Sequence, residues 1–228
     1  KTLITNGGEA DWVVTFATQD RALGYRGIST FIVERGTPGL SVGKLERKMG
    51  VHPSSTAELI FDDCKIPVEN LIAEEGKGFR MSLEAIDASR VAVGAQALGI
   101  AQAAFDAATD YARKREQFGQ VIAKFQAIQW MIADMATEID AARMLIYRAA
   151  WLMTRKEPYL KEAAMAKLFA TELANRVCHK ALQIHGGYGY TKDFAVERYA
   201  RDQRVTELYE GTSEMQRWTI ARQILSVK

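Results

Sequence analysis

The chain has 228 residues, of which 48% are hydrophobic and 25% charged, with a net charge of +2. That length supports one large domain or two modest ones around a core that needs no staples, and the interleaving of basic with acidic residues excludes a dedicated nucleic-acid surface. Two cysteines, Cys64 and Cys178, give neither a disulfide framework nor ligand spacing, which fits a reducing compartment. His52, His179 and His185 lack zinc-ligand spacing, so no metal is expected. No continuous apolar run reaches the roughly 18 residues of a membrane span.

The first third reads as β-structure. Residues 12–18 (Trp-Val-Val-Thr-Phe-Ala-Thr), 28–34 (Ile-Ser-Thr-Phe-Ile-Val-Glu) and 57–61 (Ala-Glu-Leu-Ile-Phe) are short β-rich runs. Between them lie the turn signals Asn6-Gly7-Gly8, Gly24 to Gly27 and Gly36-Thr37-Pro38-Gly39. About three to five strands are expected, an antiparallel sheet or a piece of a barrel that looks cut. The chain opens at Lys1 rather than Met, so missing upstream sequence, with any targeting segment, is expected.

The period changes near Gly76. Residues 79–113 lack proline and are rich in helix formers. Phe125, Ile128, Ile132, Met135, Ile139, Ala142, Ile146, Ala149 and Met153 then recur at spacings of three and four, the seam of a long bundle helix. Pro158 marks a turn, a third helix spans 159–184 and ends at Gly186-Gly187, and shorter helices follow over 194–208 and 213–227. The expected fold class is α+β: a partial antiparallel β-barrel domain followed by an all-α antiparallel four-helix-type bundle. The long helices carry more apolar seam than one small bundle buries, which points to oligomerisation.

Three runs bear chemistry. Leu208-Tyr209-Glu210-Gly211-Thr212-Ser213-Glu214-Met215-Gln216-Arg217 places a carboxylate where one helical pattern breaks and another begins. A carboxylate held there beside apolar surface can act as a base; equally, Ser213 or Thr212 can cap the last helix, with Glu214 or Gln216 completing a capping box. Gly186-Gly187-Tyr188-Gly189-Tyr190 is either a helix C-cap and turn or a place where backbone approaches a phosphate. It follows a helix rather than a strand and is no Rossmann fingerprint. Arg113-Lys114-Arg115-Glu116-Gln117-Phe118-Gly119 is either a solvated helix terminus or an anion site, with the Arg115 fork on phosphate and Phe118 offering a ring face. Asp87 and Arg90, three apart on one helix, read as a surface pair.

Together these runs resemble the acyl-CoA dehydrogenase family, nearest its short-chain, butyryl-CoA type. The matching pieces run in order: Ile4-Thr5-Asn6-Gly7; Arg47-Lys48-Met49-Gly50 with Ser54-Ser55-Thr56-Ala57; Phe61-Asp62-Asp63-Cys64; Glu75-Gly76-Lys77-Gly78-Phe79; Arg115 to Gly119 with Gln126; Gln183-Ile184-His185-Gly186-Gly187; Arg201-Asp202; and Tyr209 to Arg217. The resemblance implies that residues 1–75 are the C-terminal half of a middle β-domain and 76–228 the C-terminal helical bundle domain.

It further implies FAD as cofactor, an acyl-CoA substrate converted to the trans-2-enoyl-CoA, and an electron-transfer flavoprotein as acceptor. A homotetramer built as a dimer of dimers follows from it too, located in a bacterial cytoplasm or mitochondrial matrix. Glu210 looks like the base that removes the Cα proton while hydride leaves Cβ for FAD N5. The backbone N–H of Glu210 would help hold the thioester oxygen. Leu3, Ile4 and Thr5 resemble contacts to the flavin ring edge, Leu3 standing where many members carry tryptophan. Arg115, Gln117, Phe118 and Gln126, the run Gln183, Ile184, His185, Gly186 and Gly187, and Thr212, Ser213 and Glu214 resemble contacts to the diphosphate and adenosine. Asp87, Arg90, Tyr209, Gly211 and Arg222 resemble substrate contacts. Other members place the base just before the arginine matching Arg90, where this chain has Ser89; a serine cannot take that role, so Glu210 is the acid at a family base position. An oxidase or reductase offshoot, or a non-catalytic oligomerisation bundle carrying half a flavin site, are the alternatives.

Overall fold

A computed structural model describes residues 1–226. The chain divides into two compact units, Lys1–Ala85 and Ile86–Lys228.

In the first unit β2 (Trp12–Thr18) and β3 (Ile28–Glu34) pair antiparallel along their whole length, and β6 (Leu71–Ile72) adds to the other edge of β3. A second antiparallel sheet has β5 (Thr56–Phe61) at its centre, between β1 (Ile4–Thr5) and β4 (Leu40–Leu45). Alternation decides the faces: Ala57 and Leu59 of β5 are buried and Ile60 is exposed, the period-two pattern of a strand with one covered face. Gly39, at φ 87°, makes the turn into β4; a Cβ there would lie 2.3 Å from the Asp62 carbonyl oxygen. The expected strands are therefore present, with β4 and two short strands added. They form two three-stranded antiparallel sheets, in keeping with the expected piece of a barrel. On β2 the face carrying Trp12, Val14 and Phe16 is exposed.

The second unit is the helical one. Helix α1 (Gly78–Lys114) enters it from the first unit and is followed by α2 (Gln126–Thr154) and α3 (Leu160–His185). Small residues let these helices approach closely. Ala97, Ala101, Ala104, Ala108 and Ala112 on α1 are fully buried in one core with Met135, Ile139, Ala142, Ile146 and Ala149 of α2 and Ala163, Ala166, Ala170 and Ala174 of α3. The buried α2 positions belong to the seam read from sequence. The outer face of α2 exposes Trp130, Met144, Tyr147 and Trp151. Among the described residues α1 is the one helix whose length and mean hydropathy, 1.3 over its most apolar stretch, would suit a membrane span; its alanine stripe lies in the helical core instead.

One expected helix is shorter than its pattern. Residues 194–208 give α4 (Val196–Gln203) and then a tighter 3-10 segment, Arg204–Glu207. The last helix, α5, is Ser213–Leu225; Val227, where it was expected to end, lies outside the described residues.

Candidate active site

Between the 3-10 segment and α5 the backbone turns through two consecutive left-handed residues, Glu210 at φ 53° and Gly211 at φ 87°. For a residue with a Cβ that conformation costs about 1–2 kcal/mol, so surrounding contacts must hold Glu210 there. They do. Gln216, fully buried one turn into α5, donates from Nε2 to the carbonyl oxygens of Gly211 (2.8 Å) and Glu210 (3.2 Å). Lys167 of α3, also fully buried, donates from Nζ to the same Gly211 oxygen at 2.6 Å.

The side chain of Glu210 meets α1. Ser89 Oγ lies 2.7 Å from Glu210 Oε2 and 2.9 Å from the Ile86 carbonyl oxygen. The hydroxyl carries one hydrogen, and a carboxylate is the stronger acceptor. Tyr209 donates its hydroxyl to Gln96 Oε1, and burial pushes that phenol above its ordinary pKa. Arg90, 7% exposed, is paired with Asp87 at 3.0 Å, so the expected surface pair is in fact largely buried. A Cβ on Gly211 would lie 3.9 Å from Arg90 Nη2. Arg90 Nε, Ser213 Oγ and Gln216 Oε1 are buried without a hydrogen-bond partner. Unpaired buried polar atoms are uncommon, and these three belong to residues at or flanking the same loop.

The capping reading is corrected. Thr212 is the N-cap and makes no side-chain cap bond, Ser213 is the first helical residue, and Gln216 reaches back to carbonyls rather than to an N–H. The Thr212 hydroxyl instead bonds the Glu214 carboxylate, holding its pKa below the ordinary value. Arg222 packs over the Trp218 ring at 4.5 Å on α5.

A second group forms where α3 ends. Gly186 (φ 59°) closes the helix and starts a 3-10 turn, Gly186–Tyr190. The short hairpin β7 (Glu116–Gln117) and β8 (Gln120–Val121) follows α1. Phe118 (φ 53°) and Gly119 (φ 76°) form its turn, both left-handed as a two-residue hairpin of this kind requires. Between them is a cavity of about 480 Å³ whose lining includes Tyr111, Arg115, Gln117, His185, Gly186 and Gly187.

The Arg115 guanidinium lies 5.4 Å from the Tyr188 ring centroid. Cβ atoms added at Gly186 or Gly187 would meet nothing within 4 Å, so their backbone is open to a ligand. An arginine fork, aromatic faces and bare backbone suit an anionic group joined to a flat ring.

His185 and Ile184 are core residues. The imidazole stacks on Tyr111 at 4.3 Å, sits edge-on to Phe194, and places Nδ1 2.8 Å from the Ala181 carbonyl oxygen. Burial holds its pKa below 6.5. Gln183 and Gln126 are exposed at the ends of α3 and α2, and Phe118 is 91% exposed with its ring edge-on to Phe125. Leu3, Ile4 and Thr5 belong to the first unit. There Leu3 is exposed with φ 56°, while Ile4 and Thr5 pair with Ala57 and Thr56.

Sequence reasoning missed Lys167, Gln216 as a clamp, Gln96, and Ser89 as the partner of Glu210. Lys167 had a signal: it interrupts the stripe Ala163, Ala166, Ala170 and Ala174, where a charge is out of place unless paired.

The model of the acyl-CoA dehydrogenase middle domain matches residues 1–64, and that of the C-terminal domain residues 76–225. Acryloyl-CoA reductase (NADH) of Anaerotignum propionicum is 52% identical over 225 residues, 99% of this chain and 57% of the relative. The short-chain specific acyl-CoA dehydrogenase of Clostridium acetobutylicum is 51% identical over 224 residues, 98% of this chain and 59% of the relative. Butyryl-CoA dehydrogenase from Megasphaera elsdenii superposes with a TM-score of 0.97 at 47% identity, over 99% of this chain and 59% of that one. The chain thus spans less than two thirds of the length of these relatives. Two domain models in tandem, and near-half identity along almost every residue that carries the Glu210 loop, establish that the chain belongs to the acyl-CoA dehydrogenase family.

Proposed function

We propose that this chain is the base-bearing part of an FAD-dependent enzyme that dehydrogenates a short- or medium-chain acyl-CoA to its trans-2-enoyl-CoA. The observation that carries the proposal is the Glu210 carboxylate, bonded to Ser89 and presented on a left-handed pair held from both sides by buried donors. Residues 1–75 would then be the middle-domain portion and 76–228 the helical domain.

An α-proton is too weakly acidic for a carboxylate unless the thioester oxygen is stabilised by donors fixed beforehand. On this reading Glu210 takes the Cα proton, and its own backbone N–H, fixed by the same loop, supports the developing oxyanion. Asp87, Arg90, Tyr209 and Gly211 border the acyl-CoA. Arg115, Gln117, Gly186 and Gly187 would hold the diphosphate side of FAD. Phe118, Gln126, Gln183, Ile184, His185 and Thr212 to Glu214, with Leu3, Ile4 and Thr5 in the first unit, complete the cofactor candidates. When bound, the flavin supplies a two-electron acceptor for the β-hydrogen. Electrons would leave to an electron-transfer flavoprotein, from a homotetramer in a bacterial cytoplasm or mitochondrial matrix. The exposed Trp130, Met144, Tyr147 and Trp151 face supports the assembly.

The test is Glu210→Gln in the natively encoded protein. It is expected to retain FAD and butyryl-CoA binding while losing acyl-CoA-dependent flavin bleaching by about 10²–10⁴-fold, the range of a general base. Bleaching at near the wild-type rate would move the base elsewhere. A second reading is favoured by the 52% identity to an acryloyl-CoA reductase: the same site run in reverse, Glu210 protonating Cα of an enoyl-CoA. NADH-dependent consumption of acryloyl-CoA, against acceptor-dependent oxidation of butyryl-CoA, separates the two.

A further inference from the structure

We propose that Lys167 is a positioning residue for the base: its ammonium, through the Gly211 carbonyl, locks the left-handed Glu210–Gly211 pair and so aims both the carboxylate and the backbone N–H of Glu210. The inference rests on reading Glu210 as the base.

A lysine in the interior of a helical core is costly. Its side chain has no exposure at all and lies on an α3 face whose other buried members nearby, Ala163, Ala164, Ala170, Thr171 and Ala174, carry no charge. Removing an ammonium from water is unfavourable unless acceptors compensate. Burial, and then the nearby Arg90 charge, pull this ammonium down to about 8, while Glu210 and Glu207 oppose the shift. An apolar residue at this position would avoid that cost, and packing alone gives no reason for a charge there.

What Lys167 does contribute is specific. The Gly211 carbonyl oxygen has two lone pairs, and Lys167 Nζ (2.6 Å) and Gln216 Nε2 (2.8 Å) both donate to it. Gln216 also reaches the Glu210 oxygen at 3.2 Å. Fixing both carbonyls fixes the peptide planes around φ 53° and 87°, and with them the direction in which the Glu210 side chain leaves the backbone. Gln216 comes from α5, which begins two residues after Gly211, and could move with the loop. Lys167 comes from the middle of α3 and ties the loop to the rigid bundle.

The experiment compares wild type, Lys167→Met and Lys167→Arg in the natively encoded protein. Melting temperature, hydrogen exchange of the 207–216 segment, and steady-state oxidation of butyryl-CoA are measured for each. Lys167→Met is expected to melt at or above the wild-type temperature, since an apolar replacement removes a buried charge. Exchange should accelerate about tenfold in 207–216 and remain unchanged elsewhere, corresponding to about 1.4 kcal/mol of local protection. The value of kcat should fall roughly 100-fold with KM within about twofold, as a misaimed catalytic group does. Lys167→Arg, which keeps a cationic donor, should recover part of kcat. Unchanged exchange in 207–216, a rise in KM at constant kcat, or a loss of kcat accompanied by a lower melting temperature and faster exchange throughout would each overturn the proposal. Should wild type itself oxidise no butyryl-CoA, the base reading fails instead, and the exchange arm still decides whether Lys167 holds the loop.

Discussion

Gly211→Ala tests the clamp that presents Glu210. The new Cβ faces two separate penalties. At φ 87° an L-residue is strained, by about 1–2 kcal/mol. The Cβ would also lie 2.8 Å from Gln216 Nε2, and Gln216 is fully buried, so its amide cannot turn to solvent. Displacing it breaks two hydrogen bonds of about 0.5–1.5 kcal/mol each. Lower chain entropy in the unfolded alanine variant offsets about 0.4–1 kcal/mol. The net loss is roughly 1–4.5 kcal/mol, most of its spread coming from the two hydrogen bonds.

A matched control isolates the Gln216 part. Gly119 has φ 76°, and a Cβ there meets nothing within 4 Å. Gly119→Ala should therefore show the conformational penalty alone, a net loss of about 0–1.6 kcal/mol. Urea unfolding of both variants beside wild type, followed by tryptophan fluorescence, gives the comparison. Gly211→Ala should be the less stable by about 1–3 kcal/mol, the value of the two bonds. Equal destabilisation would show that the Gln216 contacts do not hold the loop.

Two further predictions concern groups outside the Glu210 loop. Burial holds the His185 imidazole below pKa 6.5, so as pH falls through about 6.5 the unfolded chain takes up a proton before the folded one, and stability drops. The stability of wild type relative to His185→Gln should therefore shrink between pH 7.5 and about 5.5, and parallel unfolding curves over that range would refute it. Burial pushes the Cys178 thiol up to about 12, so it carries almost no thiolate at neutral pH. Iodoacetamide at about pH 8 should label Cys64, which is partly exposed, and leave Cys178 untouched until the protein unfolds; equal labelling of both would sink that account.

The sequence by itself determined the order of β2, β3, β5 and the long helices, because helices and strands bury one face at their own period. The seam from Ile128 to Ala149 and the alternation of β5 follow directly from that rule. It also marked Glu210, since glycine beside an acid between two helical patterns is visible in one dimension. Boundaries set by competition were not legible. The 194–208 pattern supports one helix, yet its final turn tightens into a 3-10 segment. Ser213 and Gln216 have the spacing of a capping box, yet the buried Gln216 turns to the loop carbonyls instead.

What only the tertiary structure decided is which distant residues share a site. Ser89 and Glu210 are 121 positions apart, and Lys167 and Gly211 are 44 apart. No local period encodes such pairings, because they depend on how whole helices pack. Lys167 shows the reason most plainly. In sequence it is a charge out of register on an apolar stripe, and only the folded bundle supplies the carbonyl that explains it.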